Sequence, residues 1–153
     1  MNITEQRDKE LKVWEEAIGK ASDSIYGVLI SHLYLEHLLD RYLTAKLPKD
    51  AGLLGKNGLS FSNKLKLAKS LDEIDAQLAD SLLKLNEIRN DCAHVFGHEI
   101  SEKAVEKYGR TLGKDYKIII QSYPDAGTHG IAPITWFVCG CMLSLVLNAE
   151  GYK

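Results

Sequence analysis

The chain has 153 residues and a formal net charge of −2, with 45% hydrophobic and 26% charged residues. That length suits one domain able to bury a sizeable core, the composition is ordinary for a soluble globular protein, and the near-neutral balance excludes a wholesale electrostatic grip on nucleic acid. Met1 to Glu10 is charged and lacks an apolar run, so no secretory signal is expected, and Cys92, Cys139 and Cys141, without a C-x-x-C pair, read as reduced, mostly buried thiols of a cytoplasmic protein.

In chain order, a first helix opens near Thr4 and sets Leu11, Trp14, Ala17 and Ile18 on one stripe. A second runs from about Ser22 to Ala45. Its apolar residues, Ile25, Val28, Leu29, Leu33, Leu35, Leu38, Leu39, Tyr42 and Leu43, cover more than one stripe, so it is the central helix, with His32 as a core and His37 as a surface position. Pro48, Gly52, Gly55 and Gly58 mark a basic, Gly-rich loop over 46–60, after which Ser60 or Ser62 caps a short basic helix from Asn63 to Leu71. Asp72 to Phe96 forms the next helix, with Ile74, Leu78, Leu82, Leu85, Arg89 and Cys92 on one stripe, stopped by Gly97. A further helix runs from Ser101 to about Leu112. Residues 115–123 are open between a helix end and a short edge strand, and Pro124-Asp125-Ala126-Gly127 is a turn. Ile131 to Ala149 is the last helix. Its uncharged stretch from Ile131 to Leu147, 17 residues, is at the lower limit for a membrane span. With Pro133, Thr135, Gly140 and Ser144 inside it, it is read as a helix buried in a bundle or dimer core, with no membrane involved. The result is an all-α bundle of five or six helices, a single domain over 1–153 with its core at about 22–149.

Charge is unevenly spread. Residues 41–69 carry 7 basic and 1 acidic side chains, between segments 1–40 (4 basic, 8 acidic) and 70–110 (5 basic, 9 acidic). The basic stretch, with Lys64, Lys66 and Lys69 just ahead of the long fourth helix, could track a phosphate backbone or could be solvated surface.

Arg89-Asn90-Asp91-Cys92-Ala93-His94 carries the chemistry. Arg reads phosphate through bidentate hydrogen bonds, and His exchanges a proton near neutral pH, a minimal kit for cutting RNA. Asn90 and His94 fall about 40° apart on a helix, whereas Arg89 and His94 are about 140° apart. Either Arg89 curls round, the helix ends near His94, or two copies meet so that Arg89 of one faces His94 of the other in a symmetric dimer. Because Arg89 lies on the leucine stripe, an anionic partner is expected. Glu36 and Asp40 on the central helix are the candidates at rest, and an RNA phosphate in function. His32, His37, His98 and His129 show no metal-ligand pattern, so no metal and no cofactor is assigned.

With these residues in place, the chain resembles the HEPN superfamily, marked by an Arg, four to six intervening residues and then a His; here the motif is Arg89-Asn90-x-x-x-His94. The segments Leu59-Ser-Phe-Ser-Asn-Lys-Leu-Lys-Leu-Ala68 and Leu85-Asn-Glu-Ile-Arg-Asn-Asp-Cys-Ala-His94 look most like the mannitol operon repressor-like branch, and the resemblance covers roughly 22–110. It implies an up-and-down bundle that dimerises with both motifs facing one cleft. Its activity would be either metal-independent RNA cleavage, as in toxins with an antitoxin partner and defence proteins, or non-catalytic regulation or scaffolding through a protein partner. No helix-turn-helix is recognisable, which argues against direct DNA reading.

Overall fold

A computed structural model describes residues 2–19, 24–48, 52–71, 73–124 and 130–152. Among these residues there are seven α-helices and no strand: α1 (Ile3–Gly19), α2 (Ser24–Lys46), α3 (Phe61–Lys69), α4 (Ala76–His94), α5 (Glu102–Arg110), α6 (Lys114–Ser122) and α7 (Ile131–Ala149). The count exceeds the expected five or six because the stretch left open between helix and strand is helical. With no strand beside it to complete a ladder, the backbone there satisfies its polar groups locally. Ser22, Lys49, Asp72, Asp125 to Gly127 and His129, and the side chains of Ala17 and Ile18, lie outside the described residues.

The helix starts are written in local chemistry. At α1, Asn2 Oδ1 accepts from the Glu5 N–H at 2.9 Å while Glu5 accepts from the Asn2 N–H at 3.3 Å, a reciprocal capping box. Ser60, rather than Ser62, caps α3 by accepting from the Asn63 N–H, so this helix begins two residues earlier than expected. Asp75 caps α4 through the Leu78 N–H at 2.7 Å, and Ser101 caps α5 through Ala104. The expected start of α4 at Asp72 is therefore too early: the chain enters the helix only where a side chain covers its free N–H groups.

The core forms where α2 meets α7. Val28, Leu35, Leu38, Leu39, Tyr42 and Leu43 of α2 are buried, as are Ile134, Val138, Cys139, Met142, Leu143, Val146 and Leu147 of α7. α2 also packs on α1, α3 and α4, and α7 on α1, α4, α5 and α6. That is why both helices are apolar on more than one side. α7 is long and apolar enough by length and composition to cross a membrane, but half of its most apolar window is buried within the bundle. α1 adds Leu11 and Trp14 to the core, with the Trp14 indole N–H donating to Ser31 Oγ. Arg41 fastens the outside: its guanidinium meets Glu10 of α1 and Glu150 at the end of α7, at 2.5 and 2.6 Å. Burial pushes the Glu10 carboxyl up, but the bonds from Arg41 and Gln6 outweigh it and hold the group below its ordinary value.

Two helical glycines should respond oppositely to alanine. A Cβ on Gly109 would fall 2.1 Å from the Tyr116 ring, whereas one on Gly140 would meet nothing within 4 Å. Gly109→Ala is expected to lower the unfolding free energy by about 1–3 kcal/mol through overpacking. Gly140→Ala is expected to raise it by about 0.5–1 kcal/mol through helix propensity. Urea unfolding of the two variants checks both signs.

Candidate functional site

α4 ends at His94, and the chain turns away through Gly97, whose φ of +70° is a conformation that a side chain would strain. The helix end puts Asn90 and His94 on one solvent-facing side, both exposed, as the four-residue spacing requires. Arg89 is half-buried and donates from Nη1 to Asn90 Oδ1 at 3.1 Å. No hydrogen bond joins Arg89 to His94 among the described residues, so within one chain the two groups lie on successive turns at the end of one helix and not against each other.

The expected resting partners of Arg89 are otherwise engaged. Glu36 and Asp40, one turn apart on α2, both receive the ammonium of Lys64, which lies 3.1 Å from Glu36 and 2.8 Å from Asp40. Lys64 is 1% exposed and is therefore no phosphate-binding surface residue. It occupies the place that sequence reasoning gave to Arg89, as an internal cation at the meeting of α2 and α3. Desolvation pulls its pKa down, but the hydrogen bonds to Asp40 and Glu36 outweigh this and hold it above the ordinary lysine value. The rest of the basic stretch is also partly spent: Arg41 holds Glu10 and Glu150, and Lys46 holds Glu73 at 2.6 Å. Lys66 and Lys69 remain exposed on the outer side of α3, as does Lys56 in the preceding loop. No ion pair to Arg89 occurs among the described residues, which leaves its guanidinium open to an external anion.

Behind Arg89 lies a polar seam that the sequence did not disclose. His32 of α2 is 3% exposed and stacks at a tilt on Phe61, ring centroids 4.5 Å apart. Its Nε2 lies 2.8 Å from Asn86 Oδ1, and Asn86 Nδ2 in turn donates to Ser62 Oγ at 3.3 Å. Since an amide oxygen only accepts, Nε2 carries the proton, and Nδ1 is left buried without a partner. Burial lowers the pKa of this imidazole, the Asn86 bond opposes that, and the nearby Arg89 charge lowers it further. The ring is thus kept neutral beside a permanent cation. Because the folded value lies below the unfolded one, stability is lost as pH falls below the ordinary histidine value of 6.5, where only the unfolded chain takes the proton. An NMR titration should give His32 a midpoint below 6.5; a midpoint at or above it contradicts this account.

Val95 and Phe96 follow His94 with side chains turned to solvent, Phe96 fully so. Phe96, the expected last residue of α4, lies two residues past its end at His94, in the turn that Gly97 completes. Among the described residues no group of three or more His, Cys, Asp or Glu side chains is arranged to hold a metal ion. No family model, curated protein or solved structure matches the chain.

Proposed function

We propose that this chain is a HEPN-like, metal-independent RNA endonuclease of the toxin or defence kind, acting in the cytoplasm as a homodimer whose paired motifs form the site. The observation that carries this reading is the state of Arg89: a half-buried guanidinium, steadied by Asn90 and without a carboxylate partner among the described residues, on the helix that ends in the exposed imidazole of His94. A phosphate is the anion whose shape suits that fork.

In the proposed reaction the 2′-oxygen of the substrate attacks the adjacent phosphorus as its proton leaves to a base, and the bond to the 5′-oxygen breaks as that atom gains a proton. His94 serves as the acid or the base, and Arg89 meets the charge that builds on the non-bridging oxygens. Asn90 keeps the guanidinium in place. One exposed motif imidazole per chain is few for two proton transfers, and a symmetric pair would supply two. The test is incubation of the purified protein with mixed RNA in chelator. Fragments ending in 2′,3′-cyclic phosphate and 5′-hydroxyl are expected; RNA that stays intact with a verified dimer overturns the reading.

A second reading is a non-catalytic regulator or scaffold, as the mannitol repressor-like branch suggests. It is favoured by apolar surface on α6 and α7, where Ile118, Ile120 and Trp136 are 60%, 49% and 40% exposed, available to a protein partner such as an antitoxin.

A further inference from the structure

We infer that Phe96 is a stacking platform for one unpaired nucleobase of a single-stranded RNA whose phosphate is held at Arg89; this deepens the RNA reading above and rests on it. Phe96 is the most exposed large apolar side chain among the described residues, at 106%. Its ring makes no use of the core.

It is not on a slack loop. The Val95 N–H donates to Asp91 O at 3.0 Å, and the His98 N–H donates to Val95 O at 3.1 Å, closing a four-residue turn. Phe96 is its second residue and Gly97, at φ +70°, its third, the position at which such turns need a positive φ. The turn is anchored directly to the end of α4, so the backbone that carries the ring is held in place. Phe96 follows the last residue of α4 by two positions and Arg89 by seven, which puts the ring at the same end of the helix as the guanidinium.

The surroundings favour a base over a protein. Val95, 51% exposed, is the one other large exposed apolar side chain in the turn, and Asn90, Asp91, His94 and Glu99, its neighbours in sequence, are exposed and polar. A stable protein interface needs about 800 Å² per partner around an apolar centre. One ring and one valine fall far short, whereas a π-face beside a phosphate-binding cation is how single strands are held. A base inside a duplex already has both faces covered, so the ligand is single-stranded, and a stacked base is read by its face, with little discrimination among sequences.

Binding is measured with His94→Ala, which separates capture from cleavage, using a fluorescent six-nucleotide oligouridylate and the same oligomer with abasic residues. Adding Phe96→Ala is expected to weaken the intact oligomer about 5- to 100-fold, the range for one lost stack. It should leave the abasic oligomer unchanged, and Phe96→Trp should restore binding. Full exposure of the ring means that none of these variants threatens folding. Equal binding of the intact oligomer with and without Phe96, while Arg89→Ala abolishes it, overturns the stacking role and leaves the RNA reading standing. No binding by any variant overturns both. A shift from dimer to monomer on sedimentation of Phe96→Ala, with binding per site unchanged, makes the ring a subunit contact and overturns the inference.

Discussion

Lys64→Met is expected to lower the unfolding free energy by about 3 kcal/mol, seen as a fall in the urea midpoint at unchanged m-value. Removing one partner of a buried ion pair typically costs about 3–5 kcal/mol, because the other charge is left desolvated and unpaired. The lower end applies here, since Glu36 and Asp40 keep 32% and 25% of their side-chain surface in water. The diagnosis is separable from simple loss of packing. Lys64→Leu combined with Glu36→Gln and Asp40→Asn removes all three charges, and it should return to within about 1 kcal/mol of the wild type. If the triple variant is as unstable as Lys64→Met, the triad is not the cause.

pH gives an independent reading of the same triad. The folded pKa of Lys64 is raised, so its contribution is complete below the ordinary value of 10.5 and is lost as pH climbs through the higher folded value. The gap in stability between wild type and Lys64→Met should therefore hold from neutral pH upward and narrow in strong alkali. A gap that does not narrow in strong alkali would contradict the assignment.

His94→Ala is expected to slow RNA cleavage by about 10²–10⁴-fold, the usual worth of a positioned proton-transfer group. Stability should stay within about 0.5 kcal/mol, because the side chain is exposed. Arg89→Ala should cost about 10²–10³-fold by removing charge stabilisation. Arg89→Lys should recover part of that, since it keeps the charge and loses the fork. The 140° between the two groups on one helix makes a sharper experiment possible. If each site takes Arg89 from one subunit and His94 from the other, mixing the two inactive alanine variants creates mixed dimers with one intact site. Activity should then recover to about a quarter of the wild type for random pairing. No recovery on subunit exchange would mean that the two groups act within one chain, that one site needs both imidazoles of the pair, or that neither group acts.

How far the sequence could be read depended on whether the deciding force was local. Periodicity and capping residues placed α1, α2, α5 and α7 to within a few residues, and Gly97 placed the end of α4. The motif's geometry was legible for the same reason: Asn90 and His94 share a face because of helical pitch alone. Partner choice was not legible, since Arg89 and Lys64 are both cations within reach of a helix bearing Glu36 and Asp40. One clue was nonetheless present. Phe61, Lys64, Leu65 and Ala68 fall on one side of α3, and all four are buried, so helical spacing already pointed Lys64 inward. The His32, Asn86 and Ser62 seam joins three successive helices through side chains 24 and 54 residues apart, and nothing local announces such a meeting.

The extensive contact between α2 and α7 has a kinetic consequence. Its two halves are separated by everything from Lys46 to Ile131, so the entropy of closing that long span must be met before the interface offers any return. Assembly should consequently be slower than in helical bundles built from sequence neighbours. Until α7 docks, the leucine-rich flank of α2 stays in contact with water, and during synthesis that interval is when the nascent protein is most prone to clump.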